Sequence, residues 1–201
     1  MPHKALILVD IQNDFLPGGP MAVPGAQDIL PLANQLISQH PHTLATQDWH
    51  PADHGSFTSN HPGCQNYQQI DLHGLPQTLW PDHCIQNTGG ALFPPGLHTH
   101  KITRVFPKGT QNHIDSYSGF HDNGKRQSTG LADYLRAHHI THLTICGLAT
   151  DYCVKHTALD AIAEGFQTQL HLPACRGVGL QAGDIDQALQ DLVTQGVEIR
   201  S

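Results

Sequence analysis

Short apolar runs alternate along the chain with stretches in which apolar residues recur every three or four positions. The runs fall at Ala5–Val9, Thr43–Ala45, Ile102–Phe106, Leu143–Cys146 and Thr168–Leu172, with a weaker one at Val197–Ile199. They read as strands. Helical periodicity falls at Ile29–Ile37, Leu131–His138, Val154–Ala163 and Ile185–Val193. Gly165 and Gly196 stand just past two of these helices, where a helix C-terminus favours glycine. Strand–helix alternation with short connections predicts an α/β fold, three layers deep (α/β/α), around an open, mostly parallel sheet. No repeat, linker or low-complexity tract interrupts the pattern, so a single domain over residues 1–201 is expected.

The rhythm breaks between about residues 50 and 100. This stretch is rich in Pro, Gly, His and Asn and has little periodicity. A long irregular segment inside a compact domain is usually functional when it is not disordered. Trp49 at its edge, Trp80 within it and two cysteines argue for order, and it reads as a site-building insertion.

Composition removes several classes of function. A formal charge of −7 with only 10 Lys and Arg leaves no basic footprint for nucleic acid. No apolar run reaches the roughly 18 residues that a membrane span requires. The first residues, Met1-Pro2-His3-Lys4, lead at once into Ala5–Val9, a run too short for a secretory signal and ended by Asp10. Five dispersed cysteines without CxxC spacing fit a reducing cytoplasm better than a disulfide framework or zinc ribbon. A homo-oligomer is compatible with all of this. The 17 histidines are mostly scattered among polar neighbours, so spacing rather than abundance must identify any metal ligand.

In an open parallel sheet, ligands gather in the crevice at the carboxyl ends of the strands. Asp10, Asp48, Lys108 and Cys153 all fall there in this reading. The thiol follows a strand and a glycine turn, in Gly147-Leu148-Ala149-Thr150-Asp151-Tyr152-Cys153, and opens a helix. Backbone N–H groups and the helix dipole at such a place lower a thiol pKa and offer donors to an oxyanion. Taken alone, the segment also suits a buried packing cysteine. Asp10 as proton acceptor, Lys108 as counter-charge and Cys153 as nucleophile make a plausible triad, since a charge buried at a strand end is costly without partners.

Asp48 and His50, two residues apart on an extended segment, can face one point. His83, in Trp80-Pro81-Asp82-His83-Cys84, could join them. Two His and one carboxylate leave open coordination positions and suit one divalent metal ion such as Fe, Mn or Zn. His54 and Ser56 are near enough in sequence to approach the same ion. Phe15, Trp80 and Tyr117 could wall a slot for a flat, neutral substrate, although each is also a common core residue.

Six segments in register extend the picture. Asp10-Ile11-Gln12-Asn13-Asp14-Phe15, Gln47-Asp48-Trp49-His50-Pro51, Trp80-Pro81-Asp82-His83-Cys84, Lys108-Gly109, Asp115-Ser116-Tyr117-Ser118 and Gly147 to Cys153 together resemble the nicotinamidase/pyrazinamidase family of isochorismatase-like cysteine hydrolases. The resemblance runs from Lys4 to about Gly179. It implies a catalytic triad of Asp10, Lys108 and Cys153, a metal held by Asp48, His50 and His83, and a cis Leu148–Ala149 peptide. It further implies an oxyanion hole from the N–H groups of Ala149 and Cys153, and a pyridine ring held between Phe15 and Trp80 with Tyr117 nearby. The activity implied is hydrolysis of nicotinamide to nicotinate and ammonia through a cysteine thioester, with pyrazinamide as a further substrate. Some family members add a His or Glu ligand, for which only His54 stands at a matching place. A vinyl-ether-cleaving relative would need neither the thiol nor the Asp-x-His pair. An amidase for another small carboxamide, or a non-catalytic binding module, remains as an alternative.

Overall fold

The computed structural model describes residues 3–201, so Met1 and Pro2 lie outside the described residues. The chain runs β1 (Lys4–Val9), α1 (Leu30–Gln39), β2 (Thr43–Asp48), β3 (Gln69–Leu72), β4 (Leu75–Thr78), β5 (Arg104–Lys108), α2 (Leu131–Ala137), β6 (His142–Leu148), α3 (Lys155–Ala163), β7 (Gln167–Arg176), α4 (Asp184–Thr194) and β8 (Glu198–Arg200). Six strands form one sheet in the order β5-β2-β1-β6-β7-β8, and every pairing within it is parallel.

The unbroken apolar runs become the middle of this sheet because helices cover both of its faces and leave no side for polar alternation. Ala5, Leu6, Ile7, Leu8 and Val9 are fully buried, as are Ile145, Cys146 and Leu148 on the neighbouring β6. Chain order places β2 and β5 on one side of β1, and β6, β7 and β8 on the other. The direction of winding therefore reverses between β1 and β6. Loops leaving those two strands diverge and open a crevice, the place where such sheets bind ligands. Asp10 follows β1, and Cys153 lies five residues beyond β6.

Strand ends differ from the expectation in an informative way. β2 continues past Ala45 to Asp48, and β5 begins at Arg104 rather than Ile102 and continues to Lys108. Asp48 and Lys108 sit opposite each other in the ladder, so their opposite charges allow a polar pair to extend a buried edge.

The irregular segment also contains structure that periodicity did not reveal. β3 and β4 pair antiparallel around the two-residue turn His73-Gly74, both at positive φ (51° and 85°). Beyond them, His50 bridges to Ile85 and Phe57 to Trp80, so the segment folds back along the end of β2. Among the described residues, no helix is long and apolar enough to cross a membrane.

Candidate active site

Lys108 organises the floor of the crevice. Its side chain is fully buried, and its Nζ lies 2.8 Å from Asp10 Oδ2 and 2.5 Å from Asp48 Oδ1. The same ammonium donates to the Ser116 carbonyl (2.9 Å) and to Cys153 Sγ (3.2 Å). Asp10 reaches it because the backbone turns at positive φ (48°) directly after β1, and Thr46 Oγ1 donates to the other carboxylate oxygen at 2.6 Å. Asp10, Asp48 and Cys153 each bring one polar atom within 4.8 Å of the others.

The electrostatics follow from burying two carboxylates against one ammonium. Burial pushes Asp10 up to about 6, with Asp48 adding to the rise and Lys108 opposing it. Burial also opposes ionisation of Asp48, but Lys108 and His50 outweigh it and hold that carboxyl far below its ordinary range. Lys108 is held well above the usual lysine value by Asp10 and Asp48, despite its burial.

Cys153 departs from the expectation in two respects. Its turn, Thr150–Val154, is a π-helical turn leading into α3, with both Tyr152 and Val154 N–H donating to the Ala149 carbonyl at 3.1 Å. The thiol is also not acidified. Burial pushes it well above its normal value; Lys108 opposes that rise, and the neighbouring Asp10 and Asp48 charges add to it. It is therefore a protonated thiol that needs a base beside it, and Asp10 is the carboxylate within reach. The Leu148–Ala149 peptide is cis, as the resemblance implied.

Asp48 uses its second oxygen differently. His50 Nε2 lies 3.6 Å and His83 Nε2 3.8 Å from Asp48 Oδ2. Each imidazole has its Nδ1 against a backbone carbonyl, Gly109 O at 2.8 Å for His50 and Pro81 O at 2.7 Å for His83. A carbonyl can only accept, so both Nδ1 atoms carry a proton, and in the neutral form of each ring the Nε2 lone pair faces a carboxylate oxygen. Three electron-rich atoms converging in a buried site fit a cation, and the carbonyl contacts are the orienting kind that metal-bound histidines use. His83 reaches this point because the backbone of His50 pairs with the next segment: His50 N–H donates to Cys84 O, and Gln86 N–H to His50 O. His54 belongs to an adjoining cluster with His50 and Asp115, and its Nδ1 contacts Ser56 Oγ at 2.7 Å.

A cavity of about 410 Å³, counted with its open mouth, joins the two halves. Asp48, His50, His83, Cys153 and Ala149 line it, as do Phe15, Trp80 and Tyr117. Phe15 packs 5.5 Å from the His83 ring, and Trp80 Nε1 donates to Tyr117 Oη at 3.2 Å. The structure thus lines one crevice with the residues singled out from the sequence, except that Asp10 and Lys108 lie beneath the cavity surface and His54 and Ser56 stand in the adjoining cluster. It adds Met21, Asp115, Ser116, Tyr152 and Val178 to the walls. Asp115, Ser116 and Tyr152 sit inside the motifs already read. Met21 and Val178 lie on loops without a distinguishing pattern.

The chain is similar to known proteins over nearly its whole length. The isochorismatase domain model matches residues 4–201. The chain is 49% identical to the nicotinamidase of Escherichia coli, over 99% of this chain and 95% of that protein. It superposes on the structure of an Acinetobacter baumanii nicotinamidase and pyrazinamidase with a TM-score of 0.95 and 43% identity, covering 99% of this chain and 96% of the other. It also matches a Pyrococcus horikoshii pyrazinamidase in complex with zinc, with a TM-score of 0.80 and 34% identity, over 100% of this chain and 99% of that one.

Proposed function

We infer that this chain, which belongs to the isochorismatase family, is an amidohydrolase that converts nicotinamide to nicotinate and ammonia, and that it hydrolyses pyrazinamide as well. The observation that carries this reading is the single buried ammonium of Lys108 touching Asp10, Asp48 and Cys153 at once.

In the proposed reaction, Asp10 takes the thiol proton as Cys153 Sγ attacks the carboxamide carbon. The oxyanion that forms is met by the N–H groups of Ala149 and Cys153, where preorganised donors are worth most. Asp10 returns its proton to the leaving nitrogen, the C–N bond breaks and ammonia departs, leaving a thioester. A water that gives its proton to Asp10 then opens the thioester to nicotinate and restores the thiol. Lys108 stays charged throughout and keeps the Asp10 carboxylate aligned with the sulfur. Phe15 and Trp80 hold the two faces of the ring, and Tyr117 fixes the Trp80 indole.

Asp48, His50 and His83 would hold a divalent metal ion, with zinc, iron or manganese as the candidates. When bound, such an ion supplies a Lewis-acidic contact for the pyridine nitrogen. Pyrazinamide keeps a nitrogen at the same ring position and nearly the same shape, so a pocket built on these contacts has little with which to reject it. All five cysteines are free thiols, which supports a cytoplasmic setting.

The test is ammonia release from nicotinamide by the purified protein, before and after chelation and metal add-back. Release that chelation removes and metal restores is the expected result. Release indifferent to complete metal removal would overturn the role of Asp48, His50 and His83. No release from metal-loaded protein would move the substrate to another small carboxamide.

A further inference from the structure

β1 pairs with β2 only from Leu6 opposite Thr43 to Leu8 opposite Ala45. At Asp10 the chain turns at φ 48° and leaves the ladder, which is what carries the Asp10 carboxylate to Lys108. β2 continues to Asp48 on its own, paired on the other side with β5. Alternation of the ladder makes Trp49 N–H donate to Lys108 O, so the N–H and C=O of Asp48 point the opposite way, into the gap that β1 has vacated.

Gln12 fills that gap with its side chain. Its Oε1 accepts the Asp48 N–H at 2.8 Å, and its Nε2 donates to the Asp48 carbonyl at 2.8 Å. The second Nε2 hydrogen goes to the Ala91 carbonyl at 2.9 Å. Only this orientation of the amide gives the Asp48 N–H an acceptor, and the residue is fully buried. Without it, both backbone groups of Asp48 would be buried and unpaired.

We propose that Gln12 is a positioning residue for Asp48: its carboxamide stands in for the departed strand and sets the aim of a carboxylate that must face Lys108 with one oxygen and His50 and His83 with the other. The strand can then break at Asp10 without loosening the metal-ligand end of its neighbour. This rests on the metal-dependent amidase reading given above, but its test does not depend on which amide is hydrolysed.

The experiment is titration of the chelator-stripped protein with cobalt(II), read by affinity and by the visible absorption that reports ligand geometry. Gln12→Met keeps the volume and removes every hydrogen bond. It should bind cobalt about 10- to 100-fold more weakly than the parent and with an altered band, as expected when an orienting partner is lost. Gln12→Glu keeps an acceptor for the Asp48 N–H and turns the donors into acceptors, so it should weaken binding in the same direction. Gln47→Ala is the control: Gln47 Nε2 also donates to Ala91 O at 2.8 Å, but this side chain has no hydrogen bond to Asp48, so parental affinity and spectrum are expected. A merely structural role would lower the urea midpoints of the Gln12 and Gln47 variants together while leaving cobalt affinity and band unchanged. That result in folded Gln12→Met overturns the proposal. Should Gln12→Met not fold, the same result in Gln12→Glu overturns it. A parent that binds cobalt but releases no ammonia from nicotinamide would overturn the substrate reading alone.

Discussion

Asp48 faces Lys108 with Oδ1 at 2.5 Å and both His50 and His83 with Oδ2 at 3.6 and 3.8 Å, so one carboxylate joins the Lys108–Cys153 side of the crevice to its histidine side. Disturbing either half is felt by the other through it.

Replacing Cys153 by Ala should separate chemistry from binding. Turnover should fall by at least about a thousandfold, as when a covalent nucleophile is removed. Nicotinamide should still bind, because the aromatic walls and the metal ligands are untouched. Rapid-quench assay with equilibrium dialysis checks both, and near-parental turnover would discard the thioester mechanism.

Removing His83 acts from the other side. His83→Ala should lose stoichiometric metal and most activity, measured by elemental analysis beside the ammonia assay. Full metal content in that variant would show that Asp48 and His50 suffice.

As the proposed base, Asp10 should set the acid limb of the pH profile. Burial raises its pKa to about 6, so the base is lost as pH falls through that value. kcat/KM should then drop about tenfold per pH unit below it. The thiol is pushed well above its ordinary range and stays protonated across the same window, so it contributes no competing limb there. For folding the sign is opposite to that of a salt-bridged carboxylate. The folded state keeps the Asp10 proton longer than the unfolded chain, so stability from this group declines as pH rises from 3.8 toward 6. A flat kcat/KM between pH 5 and 7 would remove Asp10 as the base.

Lys108→Met removes the counter-charge of two buried carboxylates. Uncompensated buried charge costs about 3–5 kcal/mol. The loss should shrink in acid, where Asp10 takes up a proton. Urea denaturation at pH 5 and pH 8 measures both; an unchanged midpoint would mean that the carboxylates find other partners.

Gly109→Ala tests the support of His50. Gly109 has φ 62°, and a methyl group there would stand 2.3 Å from His50 Cε1 and 2.5 Å from Nδ1. The imidazole must move off the Gly109 carbonyl that orients it, and metal affinity should fall about 10- to 100-fold. Parental affinity would place the orienting force elsewhere.

The sheet and most of the site were legible because both rest on local signals. Ala5–Val9 is apolar at every position, and Leu143–Cys146 is buried throughout with only Thr144 polar, as in strands covered on both faces. Asp10, Asp48, Lys108 and Cys153 stood out because strand ends locate a crevice before its walls are known. The β3–β4 hairpin was not legible: Gln69-Ile70-Asp71-Leu72 alternates over only four residues, and Pro76 interrupts its partner. The one available signal was the His73-Gly74 pair, which suits a two-residue turn. The reach of β2 and β5 to Asp48 and Lys108 was hidden for a different reason. Their charges look like strand terminators until the partner across the ladder is known. The state of the Cys153 thiol could not be read either, since burial decides it and burial is a property of the assembled fold.

The position of β1 governs how the protein comes into being on the ribosome. This strand emerges before the other five of its sheet, yet it lies in the middle, and one of its two neighbours pairs Ile7 with Ile145. At about 5–20 residues per second, its most apolar surface waits several seconds for that partner. During that interval the nascent chain presents an uncovered edge of Ala-Leu-Ile-Leu-Val to whatever is nearby. The crevice itself cannot exist until Cys153 has cleared the exit tunnel, so a chain interrupted before that point carries the sticky strand and none of the chemistry. In this topology the first strand made waits longest of the inner strands to be covered on both sides.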